Sequence, residues 1–313
     1  MVDKPVGPTS FAVVRQVRHA ARVRRVGHGG TLDPLASGVL PICLGEATKL
    51  APFLLGADKE YDVTIRLGVE TDTDDAEGAV TATCDVAALA PVTATVVSDA
   101  LAQFRGAIEQ TPPAYAAIKR DGRPLYSYAR AGESIEVAPR AVVIHALEMT
   151  HFGGPEDVRL HVHCSKGTYV RALARDLGRV LGVGGHVTAL RRTRSGPFSL
   201  LQARPLAEIL EALTQGSSGL LLVSLPAALR DLPQHGVDEA TARDLRAGKR
   251  VAWAAATGGS TEPRVCLLDP SGNLIAVAEP RPDGLVKTLR VFGASPAAKT
   301  NGERNQETAK KPS

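Results

Sequence analysis

The residues best suited to chemistry lie in one stretch, Gly27 to Leu40, GHGGTLDPLASGVL, around a single carboxylate, Asp33. Glycines at 27, 29 and 30 let the backbone take positive φ and approach a ligand closely. Pro34 fixes the φ that follows Asp33 and biases Asp33 itself toward an extended conformation. A carboxylate on a stiff turn, with His28 and Thr31 beside it, suits nucleophilic or acid–base work. A lone Asp-Pro more often caps a helix, so the surroundings decide. Between Lys4 and Leu32 there is no acidic residue, while Arg15, Arg18, Arg22, Arg24 and Arg25 accumulate with His19 and His28. A purely solvated face would more often mix signs, and this one does not.

The elements that must position these groups follow from periodicity. Thr9 or Ser10 can cap a helix beginning at Phe11. On it Arg15, Arg18 and Arg22 share one face, and Phe11, Val14, Val17 and Ala21 form the apolar stripe. Residues 60–68, EYDVTIRLG, alternate as a strand with Tyr61, Val63, Ile65 and Leu67 on one face. DTDDAEG lacks the glycine of a calcium loop and reads as an acidic surface turn. Residues 93–104 read as a helix capped near Thr93 or Thr95. TPPAYAAIKRDGRPLYSYARAGE places a turn at Asp121-Gly122 before a short helix. It interleaves Lys119, Arg120, Arg123 and Arg130 with Tyr115, Tyr126 and Tyr128, a mixture that can bind backbone and stack bases.

A second informative block is VRLHVHCSKGTYVRALARDLG. Val158, Leu160, Val162 and Cys164 face one way on a strand, and Arg159, His161 and His163 the other. Thr168 can cap a helix carrying Val170, Leu173, Leu177 and Leu181 inside, with Tyr169 and Arg171 in its first turn. The His161/His163 pair has no third ligand near it in sequence, so no metal is expected. Leu190 ends an apolar segment, and Arg191, Arg192 and Arg194 follow as a second basic cluster. Residues 206–213 read as a short helix. From His235 the texture changes to a helix, a strand–turn–strand and a last strand.

These features divide the 313 residues into a catalytic domain over 1–232, a small β-rich module over 235–292 and a polar, aromatic-free, disordered tail over 293–313. The net charge of +4 and pI near 8.9 permit a polyanionic partner without requiring one. Four cysteines without a C-x-x-C spacing read as reduced thiols in a cytoplasm. No export signal or spanning apolar run is seen. With no nucleotide loop, dinucleotide fingerprint or zinc signature, no cofactor is implied, and side chains must supply the chemistry.

VDKPVGPTS, GHGGTLDPLASGVLPICLGEATK, EYDVTIRLGVETDTDDAEG, TPPAYAAIKRDGRPLYSYARAG and CSKGTYVRALARDLG together resemble the TruB family, the bacterial synthases that make pseudouridine in the tRNA T-loop. The resemblance runs from about residue 2 to about residue 230, in several ordered blocks. It implies an α+β fold with a mixed, mostly antiparallel central sheet, flanking helices and a small PUA-like C-terminal RNA-binding domain. The family's opening apolar strand is nearly absent here, which leaves two readings: an upstream start, or a shortened edge strand.

The resemblance also implies the reaction. A uridine of the T-loop (tRNA position 55) is flipped into the pocket, Asp33 attacks it at C6 or C1′, and the freed uracil rotates and rejoins through C5. Tyr61 stacks on the base and is a candidate to take the C5 proton. Tyr169 and Leu190 line the pocket, Arg171 pairs with Asp33 and keeps it ionised, His28 enters the RNA loop, and Lys4 supports the loop. Arg15, Arg18, Arg22, Arg191 and Arg192 are the expected backbone contacts. The expected partner is the T-arm of tRNA, met by a cytoplasmic monomer with no obligate protein partner. A non-catalytic RNA-folding protein would not need the Asp33, Tyr61, Tyr169 and Arg171 set, though folding can accompany catalysis. A phosphate-handling enzyme would need a P-loop lysine or a metal-binding carboxylate set, and neither is visible.

Overall fold

The alternation of Tyr61, Val63, Ile65 and Leu67 becomes the middle of a nine-stranded sheet in the computed structural model. The structure describes residues 1–116, 119–120, 123–124, 128, 137–253 and 263–293. Across the sheet the strands run Arg204–Pro205, Val2–Lys4, Ala36–Leu40, Gly185–Ser195, Lys59–Leu67, Val158–Cys164, Arg140–Phe152 and Gly106–Gln110, with Phe198–Ser199 paired to Gly185–Ser195. Two pairings are parallel, Val2–Lys4 with Arg204–Pro205 and Ala36–Leu40 with Gly185–Ser195. The others are antiparallel. The sheet is therefore mixed and mostly antiparallel, and the Val2–Lys4 strand is flanked on both sides.

One apolar core joins the sheet to its helices. Val63, Ile65, Leu160 and Val162 pack with Val97 and Leu101 of the helix Ala94–Leu101 and with Leu173 and Leu177 of the helix Val170–Val180. Thr93 caps the former; the latter starts at Tyr169, not at a Thr168 cap. The Thr168 hydroxyl donates to the Ser165 carbonyl at 3.0 Å. Tyr169 is held instead by Gln110, whose side chain accepts its N–H at 2.7 Å and donates to its carbonyl at 3.0 Å. Leu181 lies just past the helix end.

The first helix, Ser10–Ala21, is capped by Thr9 and buries Ser10, Val13, Val14 and Val17. Phe11 stands out of that stripe, 63% exposed, with the Arg15 guanidinium 6.0 Å from its ring centre. The helix ends because Arg22 turns left-handed, at φ 51°, and donates its N–H to the His19 carbonyl. Arg22 thus leaves the face that Arg15 and Arg18 share.

The chain divides into two compact units, Met1–Leu222 and Val223–Ser313, a break earlier than the change of texture at His235. In the second, strands Gln234–Gly236, Val265–Leu268, Leu274–Pro280 and Val286–Val291 form a four-stranded sheet in that order. The helix Glu239–Arg246 adds Ala242 and Leu245 to its core with Trp253 and Ile275. The Asp121-Gly122 turn, Tyr126, Arg130, the side chains of Lys119, Arg120 and Arg123, and the tail from 294 onward lie outside the described residues. Lys119–Arg120 and Arg123–Pro124 pair antiparallel. Among the described residues no helix is long and apolar enough to cross a membrane. All four cysteines are free.

Gly38 sits where the two parallel strands meet. Its φ is +104°, and an added Cβ would lie 2.2 Å from the Arg192 carbonyl oxygen. Gly38→Ala is expected to cost about 2–5 kcal/mol, from backbone strain and overpacking together. Chemical denaturation against the parent protein measures it, and a loss below about 0.5 kcal/mol would show that the strands do not meet this way.

Candidate active site

The Asp33 loop is fixed mainly by backbone carbonyls that meet buried donors. Ser10 Oγ accepts the Leu32 N–H at 2.8 Å and donates to the Leu32 carbonyl at 2.9 Å. The Gly7 N–H donates to the Pro34 carbonyl at 2.9 Å, and the Ala36 N–H to the Asp33 carbonyl at 3.1 Å. Lys4 is completely buried; its Nζ donates to the carbonyls of Pro5 and Pro8 at 2.8 Å and of Pro34 at 3.4 Å. Burial pushes its pKa down to about 8, against the raising pull of Asp33. Lys4 is thus an internal brace and no part of the pocket wall.

Arg192 is also buried. Its Nε donates to Val39 O at 2.8 Å, Nη1 to Thr31 O at 3.1 Å and Nη2 to Gly30 O at 3.2 Å. The expected phosphate contact is corrected: two places from Leu190 on the same strand, Arg192 points inward and ties the strand to the loop. Arg191 pairs with Asp3 at 2.7 Å, and Arg194 with Glu60 at 3.1 Å. The second basic cluster is therefore largely committed to the protein itself. His28 lies on the short strand Val26–His28, outside the pocket wall. Its Nδ1 accepts the Gly30 N–H at 3.4 Å. Burial and then the Arg192 charge lower its pKa, which favours the neutral ring that this acceptor role requires.

Arg171 and Asp33 do meet, at 3.0 Å between Nη2 and Oδ2. The Arg171 side chain is 5% exposed and the Asp33 side chain 38%. Arg171 has three further partners: Nη1 lies 3.2 Å from Asp75 Oδ2 and donates to Thr73 O at 2.8 Å, while Nη2 donates to Tyr115 O at 3.1 Å. The acidic turn is thus only partly a surface turn, with Asp72 and Glu77 exposed. Asp75 is 3% exposed and faces Arg171, and Asp74 pairs with Arg175 at 3.0 Å. Burial raises the Asp74 pKa, with Arg175 opposing it. Thr73 Oγ1 and the Glu77 N–H both donate to Asp75 Oδ1, leaving Oδ2 for the guanidinium.

Asp33, Arg171, Tyr61, Tyr169 and Leu190 together line a cleft of about 290 Å³. Burial raises the phenol pKa of both Tyr61 and Tyr169, so both are neutral at physiological pH. Other residues share the wall, among them Arg192, Cys164 and Lys59. Cys164 has a thiol pushed up by burial to about 11, which leaves it a poor nucleophile. Lys59 is lowered by burial to about 8 and donates to the Leu55 carbonyl at 2.8 Å and to that of Ala57. Lys59 was legible in principle, since it falls in phase with Tyr61 on the buried face of its strand. The geometry offers one carboxylate, fixed through its backbone and by one guanidinium, opening into a pocket with flat aromatic walls.

Comparison with known proteins supplies the family. The TruB family pseudouridylate synthase N-terminal domain matches residues 18–170, and the tRNA pseudouridylate synthase B C-terminal domain matches 171–231. A tRNA pseudouridine synthase B of Aromatoleum aromaticum is 50% identical over 259 residues, 83% of this chain and 82% of that protein. One of Burkholderia pseudomallei is 46% identical over 285 residues, 89% of this chain and 91% of that protein. Among solved structures, a Cbf5–Nop10–Gar1 complex contains a chain that superposes with a TM-score of 0.71 at 26% identity, over 93% of this chain and 84% of that one.

Asp75→Asn removes the buried countercharge of Arg171 while keeping the shape of the side chain. The expected result is turnover on RNA slowed by about a hundredfold, from misplacement of Arg171 and Asp33, with RNA affinity retained. Equal loss of rate and affinity would make Asp75 a residue of general stability.

Proposed function

The chain belongs to the TruB family of pseudouridine synthases, and from that premise we propose that it isomerises a T-loop uridine of tRNA to pseudouridine with Asp33 as the nucleophile. The observation that carries the reading is the Asp33–Arg171 ion pair at 3.0 Å in a cleft walled by Tyr61, Tyr169 and Leu190. The flipped uridine enters this cleft, where aromatic faces replace the stacking it leaves behind. The carboxylate attacks, the N-glycosidic bond breaks, the uracil turns, a C5–C1′ bond forms, the bond to the carboxylate is broken again, and the proton lost from C5 is balanced by one gained at N1. Isomerisation is balanced without any oxidant, reductant or added group.

Roles follow from position. Arg171 orients Asp33. Tyr61 is assigned stacking alone, because a phenol kept neutral by burial is poorly suited to accept the C5 proton. Tyr169 and Leu190 shape the walls. His28, neutral and beside the loop, is read as a contact to the RNA outside the cleft. Arg15 and Arg18 are exposed and form no ion pair among the described residues, so they are read as backbone contacts, with Arg22 beyond the helix end. The second unit is read as a PUA-like accessory RNA-binding domain. The reading includes action as a cytoplasmic monomer. The similar Cbf5 chain was solved in complex with Nop10 and Gar1, whereas the relatives named tRNA pseudouridine synthase B carry no partner in their names.

The test is mass-spectrometric mapping of pseudouridine in unmodified tRNA after exposure to the purified protein. One new pseudouridine in the T-loop is expected. Asp33→Asn should yield none while binding tRNA within about tenfold, roughly 1.4 kcal/mol. Turnover by the Asn variant would remove Asp33 from the nucleophile's role. Replacing Arg15 and Arg18 together by Ala should flatten the log–log salt dependence of tRNA binding by up to about two, with the single-turnover rate at saturating tRNA unchanged. An unaltered slope would move the RNA path off this helix.

A further inference from the structure

On the side of the sheet opposite Val162 and Cys164, three groups that no step above uses converge: Asp58, His145 and His163. Each offers one ligand atom, and the three atoms lie within 4.8 Å of one another. They come from adjacent strands. His163 belongs to Val158–Cys164, His145 to its neighbour Arg140–Phe152, and Asp58 directly precedes Lys59–Leu67 on the other side. His145 is the extra residue of a β-bulge, since Ile144 pairs with Cys164 and Ala146 with His163. A bulge re-aims a side chain. Here the aim sets the two imidazole centroids 4.7 Å apart and puts His145 Nε2 3.2 Å from Asp58 Oδ2.

Those distances can be compared with metal coordination. Two ligand atoms about 2.0–2.1 Å from a tetrahedral zinc ion lie about 3.4 Å from each other. The His145–Asp58 separation matches that spacing, and the His163 ligand atom lies within 4.8 Å of both. Two imidazoles and a carboxylate are ligands for zinc-class divalent ions, with a fourth position left for water. The local H-x-H pattern misleads here. His161 turns to Asp62, 2.9 Å away, and has no place in the cluster.

We propose that Asp58, His145 and His163 bind one zinc-class divalent transition-metal ion, which fastens three strands together beside the cleft. Lys59 and Cys164, next along the chain from Asp58 and His163, both line the cleft, so the ion stiffens its wall. It touches no reacting group, and the proposal stands whether or not the chain makes pseudouridine.

The experiment uses tag-free full-length protein stripped with chelator and titrated with zinc chloride by calorimetry, with thermal unfolding read in parallel. One ion per chain and a raised Tm reversed by EDTA are expected, because a ligand of the native state stabilises it. His145→Ala and His163→Ala should each weaken binding by about tenfold or more, and His161→Ala should leave it unchanged. Asp58→Asn, a milder change at an exposed position, should also weaken it, and circular dichroism of each stripped variant checks its fold. No zinc binding to the parent protein would overturn the proposal. So would binding that survives loss of both His145 and His163, or that depends on His161.

Discussion

A buried guanidinium must find acceptors for its donors and countercharge for its cation. Arg171 meets that demand at its two terminal nitrogens from three separate parts of the chain, the Asp33 loop, the Thr73–Asp75 turn and the Tyr115 carbonyl, while its buried Nε has no partner among the described residues. Its own backbone is set by the helix Val170–Val180, whose first residue follows the Gln110-clamped Tyr169. The position of Asp33 is therefore not a local property of its loop. It depends on a helix start, a strand end and a buried acidic turn agreeing in one place. Two negative partners, one at 38% and one at 4% side-chain exposure, also divide the labour: Asp75 is internal and Asp33 faces the cleft.

The same economy appears around the loop itself. Lys4 and Arg192 are spent mainly on backbone carbonyls, so cations that could have met phosphate instead hold Gly30, Thr31 and Pro34 still. Such bracing is what preorganisation requires, since a nucleophile that must be reordered at each turnover loses rate. Exposed positive charge then falls to residues outside the brace, such as Arg15 and Arg18.

Much of this was readable from residue order. The Tyr61 strand, the Thr9-capped helix and the Asp33 turn each carry strong local signals, and the structure contains all three elements. Much of what was not readable shares one cause: local reading assigns charge to the surface. Asp74 and Asp75 looked solvated in an acidic run, yet arginines far along the chain draw them inside. Arg192 was assigned to RNA although its phase with Leu190 already pointed inward. Phe11 sat in the apparent apolar stripe, but Val13 took its place in the core. The neighbourhood of His145 and His163 needed the pairing of two strands and a bulge, which no spacing in sequence encodes.

The central claim is that Asp75 acts on the chemistry only through Arg171. A double-mutant cycle in single-turnover pseudouridine formation tests it, using Arg171→Met, Asp75→Asn and the two together at saturating tRNA. The account predicts that the double variant is no slower than Arg171→Met alone, so that the coupling energy exceeds about 1 kcal/mol. Effects that simply multiply would contradict it, and would make the buried ion pair an incidental neighbour of the nucleophile.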